Sequence, residues 1–405
     1  MNTENPSNNN YLGPFVTMIF LFLIVGFLTT ANGQFQGPLK AAFLSEAGHL
    51  KNTLATLITF SWFLAYPACG GLGAKWIVHY GYKGTLIRGL LVMMAGLLLF
   101  LLSAKLSMFS IFLLGSFVTG ASATILQVVI NPYLTACSVK GTQAVQRLAI
   151  GGTANSIGTT IAPYFVSGIV FGGLALEDVK VSQLMLPLLT LVVVVLLIVI
   201  VLLRLSLPDI EGTHNKADEK LEKSVWSFRH LTYGVVSIFF YVGCEVCIGT
   251  NINLYVAESL GMDITTITLM ATLYWGGLLV GRLLGSTLSS INPRVQLTFT
   301  TVMASILVGL AMIINNPWIL VAVGLFHSIM WGAIFTLSVA QLGKYTSAAS
   351  GVFMIGVVGG AILPFFQGIL ADWMGDWRWS WSIVLFGELV MLFYAQVGSQ
   401  VRQKD

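Results

Sequence analysis

The segment FYVGCEVCIGTNINLY, beginning at Phe240, sets Glu245 between two cysteines, with Asn251 and Asn253 a turn or two further on. It lies inside a long apolar run, and an ionised side chain at the centre of a bilayer costs roughly 3 kcal/mol on insertion scales. A carboxylate kept against that cost is a candidate for accepting hydrogen bonds from substrate hydroxyls, binding a proton, or holding a sodium ion together with carbonyl oxygens. Other polar side chains interrupt apolar runs in the same way. They are Asn32, Gln34 and Gln36, then Gln127 and Asn131, then Asn155, and later His327. Tyr274 and Trp275 add aromatic faces. Amides and a carboxylate supply the paired donors and acceptors that vicinal sugar hydroxyls require, and an aromatic plane suits the C–H face of a pyranose. Any one Asn or Gln also serves as a helix–helix hydrogen bond, and for His327 that role competes with titration near neutrality. Their grouping on a few segments points to a shared polar path.

The elements that position these residues follow from composition. Of 405 residues, 56% are hydrophobic and 9% charged, whereas soluble globular chains carry about 25% charged residues. The apolar runs are long and continuous, which excludes a period-two outer-membrane barrel and predicts an all-α integral membrane protein. Spans are expected near 13–36, 52–74, 84–104, 108–134, 148–173 and 183–206, then near 231–256, 265–289, 295–314, 317–341, 349–370 and 379–399. The two sets form six-helix bundles over 13–206 and 231–400, joined by a charged linker at 207–230. The Asn-rich residues 1–12 read as a disordered tail, and 401–405 as a short C-terminal tail. No Lys or Arg precedes the first run, so it reads as a span rather than a signal peptide.

Basic residues set the orientation. Lys75, Lys83, Arg88, Lys140, Arg147, the linker lysines and Arg294 fall on one side, against Lys40, Lys51, Lys105, Lys180 and Arg378 on the other. Both termini are therefore expected in the cytoplasm. The formal charge of +4 reflects this bias and not nucleic-acid binding. Cys69, Cys137, Cys244 and Cys247 lie in apolar stretches and make neither a disulfide framework nor a zinc spacing. There is no nucleophile–base constellation and no nucleotide loop, so neither an enzyme nor an ATP-driven pump is indicated, and no cofactor is expected beyond a coupling ion, proton or sodium.

The halves echo one another. IAPYFVSGI from Ile161 parallels ILPFFQGI from Ile362, and GGLGAKWIVHYGYKG after the second span parallels VGRLLGSTLSSINPR after the eighth. Parallel six-plus-six repeats are how the major facilitator superfamily builds a transporter. Lys75, Lys83 and Arg282 then read as a basic gating-loop element, with Arg282 capping or snorkelling at the inner end of its span.

ILQVVINPYLT from Ile125 and RLAIGGTANSIGTTIAPY from Arg147 resemble the fourth and fifth helices of the fucose–galactose–proton symporter family. YVGCEVCIG from Tyr241 resembles the seventh helix of its glucose/galactose branch, AKWIVHYGYKG from Ala74 the loop after the second helix, and GVVGGAILPFFQGILAD from Gly356 the eleventh. The resemblance spans nearly the whole chain. It implies a multi-pass permease of the bacterial cytoplasmic membrane that imports a monosaccharide by alternating access, coupled to a cation and acting as a monomer in the lipid bilayer. The chain departs from the family at two acids. Gly33 stands where the first helix commonly carries its proton-binding Asp, and Gln127, as in the glucose/galactose branch, where the fucose branch has Glu. Glu245 and Glu388 are the acids left deep within spans, and Glu245, on the seventh span, is the expected coupling group, with His327 as its understudy. Gln127, Asn131, Asn155, Glu245, Asn251, Asn32, Gln36 and Trp275 are the expected sugar contacts. An uncoupled facilitator and a sugar sensor without transport are the competing readings.

The orientation is directly testable. A single cysteine placed near Lys220, in a variant lacking the native cysteines, should react with impermeant reagent only from the cytoplasmic side. Reaction from the periplasm alone would invert the topology.

Overall fold

The computed structural model describes residues 11–44, 47–137, 139–140, 142, 144–205, 207, 222–287 and 291–401. Residues 1–10 of the expected N-terminal tail, most of the linker and the C-terminal tail beyond Val401 lie outside the described residues, and Leu12, expected in the tail, already opens the first helix.

In the first half, α1 (Leu12–Gln34) and its continuation α2 (Gln36–Phe43) make the first span. Helix α3 (Lys51–Leu106) holds two spans. Its 56 residues, at about 1.5 Å each, far exceed a bilayer, and the chain reverses at Gly81, where φ is 67° and ψ 178°. Gly73 and Gly89, on either side of that reversal, both pack on Ile125. The fourth span is α4 (Phe109–Ala136), the fifth is α5 (Ala144–Tyr164) with a π-turn at Phe165–Val170, and the sixth is α6 (Met185–Arg204).

The second half opens with α7 (Arg229–Val246), a π-turn at Cys247–Asn251 and α8 (Ile252–Ser259), which together form the seventh span. Helices α9 (Ile264–Thr287) and α10 (Pro293–Ile314) are the eighth and ninth. The tenth is broken into α11 (Pro317–His327) and α12 (Met330–Ser338), bent by 42°. The eleventh runs through α13 (Thr346–Phe353) and α14 (Gly359–Met374), and the twelfth is α15 (Ser382–Phe393) with a terminal π-turn. Among the described residues, nine helices are long and apolar enough to cross a membrane, and the bent pair α11/α12 makes a tenth. The reversal at Gly81 divides one of these in two, and α5, diluted by Gly, Thr and Asn, completes twelve.

Helix is the only open choice for such runs, because hydrocarbon offers no partner to a bare N–H or C=O. Their ends are written in the sequence. Asn292 and Asn316 cap α10 and α11, accepting the amides of Arg294 and Trp318 at 2.9 and 3.0 Å, each with Pro at the first helical position. Asp263 accepts the Thr266 amide at 2.6 Å ahead of α9, which holds its carboxyl below the usual carboxylate range.

The halves meet along two seams, α3 against α14 and α5 against α9. Within the first half α1 and α5 pack backbone to backbone. A Cβ at Gly158 would come within 2.8 Å of the Phe27 nitrogen, and one at Gly26 would meet Asn155. Such contacts are what small residues permit between membrane helices. Gly158→Val should therefore push α1 from α5 and destabilise the fold by about 1–3 kcal/mol. Thermal unfolding of the purified protein in detergent reads this directly, and an unchanged melting temperature would show that the helices do not depend on the close approach.

Candidate functional site

The site is built on the π-turn of the seventh span. An extra residue in the turn takes carbonyls out of the regular ladder, and side chains from other helices take them over. The Glu245 carbonyl accepts the Tyr274 hydroxyl at 3.1 Å. The Gly249 carbonyl accepts both the Trp275 indole N–H, at 3.2 Å, and the Gln34 amide of the other half, at 2.9 Å. Gly249 is required here, since a Cβ would run into the Trp275 ring. Trp275 is thus a buried brace against the turn, with its N–H committed to it.

Glu245 itself is half-buried. Its Oε1 lies 2.9 Å from the Tyr241 hydroxyl, one turn earlier, and that hydroxyl is also 3.0 Å from the His327 carbonyl. The break after His327 in the tenth span frees this carbonyl, so two discontinuous helices are tied together through Tyr241. The His327 ring is fully buried. Nδ1 sits 2.9 Å from the Tyr274 hydroxyl and Nε2 2.6 Å from Glu388 Oε1. Arg282, from α9, donates to the Ser328 carbonyl in the break of the tenth span at 3.4 Å.

The remaining predicted residues separate into distinct groups. Gln127 donates to the Tyr66 hydroxyl at 2.6 Å, and Asn131 stands one turn further along the same face of α4; both are half-buried. Asn155 is also half-buried, but its amide nitrogen donates to the Phe22 carbonyl at 3.0 Å, so it ties α5 to α1. Asn32 is buried between Ile58 and Ser116, donating to the carbonyl at 3.2 Å and accepting the hydroxyl at 2.6 Å. Gln36 bonds Thr59, and Asn251 bonds the Pro364 carbonyl and Gln367 at 3.2 and 3.0 Å. These last three are packed into their own surroundings. Glu245, Gln127 and Asn131 keep partial exposure.

Lys75, Lys83 and Arg282 are not brought together as a gating loop. Lys75 is exposed, and Lys83 donates to the Leu203 and Leu205 carbonyls at 3.0 and 2.8 Å, closing the end of α6. Arg282 neither snorkels nor caps its own helix. It crosses to the first half, donating to Ser156 Oγ at 2.6 Å and to the Gly152 carbonyl at 3.4 Å. The physical reason is the α5–α9 seam, which offers a guanidinium nearer acceptors than the membrane surface does.

A second set of polar contacts joins the halves at the periplasmic ends. Glu258 forms an ion pair with Lys40 and accepts Asn52 Nδ2 and the Trp377 indole, each at 3.0 Å, while Lys40 also bonds Asn52. Asp372 accepts the Thr53 amide and hydroxyl, both at 2.7 Å. Asn253 donates to Gln34 at 2.6 Å just beneath. A cavity of about 30 Å³, room for about one water, lies between Gln34, Gly37, Pro38, Pro163 and Asn253. The outer gate is closed. Sequence reasoning missed it, although Lys40 and Glu258 occupy matching outer ends of the first and seventh spans.

The profile of the Major Facilitator Superfamily matches residues 22–357. The chain belongs to that superfamily. A Brucella abortus (strain 9-941) protein named glucose/galactose transporter is 32% identical over 408 residues, covering 99% of this chain and 97% of the relative. The L-fucose-proton symporter of Escherichia coli K12 is 24% identical over 427 residues, covering 97% and 94%. These relatives place the superfamily member in the fucose–galactose–proton symporter family. Among solved structures, the transporter FucP in its outward conformation aligns with TM-score 0.71 at 21% identity, covering 97% of this chain and all of the other. The xylose transporter XylE of E. coli, inward open, also reaches 0.71, at 13% identity and 95% coverage of both chains. The protein is a multi-pass transporter of the bacterial inner membrane and not an enzyme.

Removing charge from the hub of the outer gate should loosen it. Glu258→Gln leaves Lys40 without its ion pair, and a reporter cysteine at Gly37→Cys, beneath the gate, should then label several-fold faster from the periplasm. Equal labelling rates with and without Glu258→Gln would show that the ion pair does not hold the gate.

Proposed function

We propose that this protein imports a monosaccharide (a hexose, deoxyhexose or amino sugar) across the cytoplasmic membrane by alternating access, as a monomer coupled to a cation. The names of its relatives supply the substrate class. The observation that supports the reading in this chain is the half-buried Glu245 at a helix break, where discontinuous membrane helices place substrate and ion sites. Glu245 accepts sugar hydroxyls with one carboxylate oxygen while Tyr241 orients the other. Gln127 and Asn131, across the interface on α4, supply amide donors and acceptors to the same sugar.

Alternating access follows from the two layers of contact. The Lys40–Glu258–Asn52 layer closes the periplasmic end in this structure, and the α3–α14 and α5–α9 seams persist as the surfaces on which the halves rock. Sugar that binds between the halves shifts the balance only through contacts that differ between the two states. Gln34 is one such contact, because it leaves the Gly249 carbonyl when the outer gate opens.

Energy coupling is routed through Glu245, the acid that shares its surroundings with the sugar, together with His327 behind it. An uncoupled facilitator is the second reading, favoured by Gly33. Purified protein in proteoliposomes, given a panel of sugars under separate proton and sodium gradients, distinguishes the two. Glu245→Gln keeps size and hydrogen-bonding reach but removes the charge. It should abolish gradient-driven accumulation while exchange of sugar down its own gradient survives. Accumulation by the variant equal to that of the unmodified protein would remove Glu245 from coupling, and no accumulation by either under both gradients would make the protein a facilitator.

A further inference from the structure

Glu388 lies on the twelfth span, the outermost element of the second half, yet it is completely buried. Oε1 meets His327 Nε2 at 2.6 Å, and Oε2 has no hydrogen-bond partner among the described residues. A carboxylate so placed is expensive in either half-satisfied form, and nothing in helix packing requires it. We infer that His327 and Glu388 form a dyad that takes up and releases the coupling proton, and that Tyr274 reports its occupancy to the helix break at Glu245. This deepens the proposed transport reading, on which it rests, by naming the coupling ion and its seat.

The argument is a proton count. The Tyr274 hydroxyl has one hydrogen and two neighbours, the Glu245 carbonyl at 3.1 Å and His327 Nδ1 at 2.9 Å. A carbonyl only accepts. When Tyr274 donates to Glu245, Nδ1 must carry the hydrogen of the second bond. Nε2 and Glu388 Oε1 then share one further hydrogen, as imidazolium with carboxylate or as imidazole with carboxylic acid. Both arrangements leave the dyad neutral.

Loss of one proton forces a different pattern. His327 becomes neutral with its hydrogen on Nε2, donating to the Glu388 carboxylate, and Nδ1 becomes an acceptor. Tyr274 then turns its hydrogen to Nδ1 and leaves the Glu245 carbonyl. One proton gained or lost at the dyad is thereby linked to one bond made or broken at the π-turn that carries Glu245. The proton comes from and returns to water, and no other species changes.

The surroundings suit such a switch. Helix α7 brings Tyr241, Cys244 and Glu245 towards the dyad, with Cys244 donating to the Val384 carbonyl at 3.5 Å and Cys247 buried a turn further on. Helix α9 brings Tyr274 and, at greater distance, Arg282. Helix α10 carries Arg294 at its cytoplasmic end as its one ionisable side chain, and α12 carries none. Asp372 of α14 sits at the periplasmic gate. Glu388 accordingly has His327 as its direct charge partner, and its Oε2 is left without a hydrogen-bond partner among the described residues.

The test has two arms on the full-length protein. In detergent without sugar, pH-difference infrared spectra should contain a titrating carboxyl–imidazole component that disappears in both Glu388→Gln and His327→Gln and moves to a different midpoint in Tyr274→Phe. Spectra unchanged by Glu388→Gln and His327→Gln would overturn the dyad. In proteoliposomes, Glu388→Gln should retain counterflow of glucose, galactose or fucose, which shows that it folds and binds, but should accumulate sugar under a proton gradient only to the external concentration. Accumulation as in the unmodified protein, or accumulation by the unmodified protein under a sodium gradient alone, would also overturn the inference. If the unmodified protein shows no counterflow with any of these sugars, the transport reading fails instead, and the infrared arm decides the dyad by itself.

Discussion

A helix in hydrocarbon must satisfy its own backbone, so a break in it depends wholly on what neighbouring helices donate. The π-turn at Cys247–Asn251 is such a break, and most of the functional arrangement hangs on it. Tyr274 and Trp275, consecutive on α9, each supply one donor to it, at the Glu245 and Gly249 carbonyls. Gln34 supplies another from the opposite half. The break after His327 is treated in the same way, with Tyr241 supplying the donor. Each tyrosine or tryptophan therefore has its polar tip fixed by backbone and its ring packed in the core, which leaves Glu245 at a defined position between them.

The same turn connects the chemistry to the gate. Gln34 joins the first span to that turn at Gly249 and to Asn253, beneath the Lys40–Glu258 pair, so opening the periplasmic side as proposed would exchange these contacts for water. Ion pairs and amide contacts of this kind contribute modest net energy, since hydration replaces most of what is lost. That suits a gate. A transporter needs its two states within a few kcal/mol, and an apolar seal of equal area would hold one of them too firmly.

What the sequence discloses and what it hides divide on a physical line. Twelve apolar runs, the loop charges and the acid within FYVGCEVCIGTNINLY are local properties, and they define spans, orientation and Glu245 before any packing is known. Rotation about a helix axis is not local. In helices that are apolar nearly all round, periodicity does not distinguish a face on lipid from a face on protein. Asn155 is directed at Phe22, and Arg282 at Ser156, by the neighbours that happen to flank them. Glu388 was legible as an acid in a span, but its burial against His327 depends on how α15 packs on α7 and α10, information carried by no single segment.

Gly33 gains a structural meaning from these contacts. A Cβ there would collide with Thr250, inside the π-turn. Any side chain there would have to displace the Thr250 methyl from the present approach of α1 to the turn. Gly33 lets the first span lie directly on the break, bringing Gln34 within reach of Gly249. Charges at Glu245 and behind it are held by Tyr241, Tyr274 and His327, within one half of the molecule.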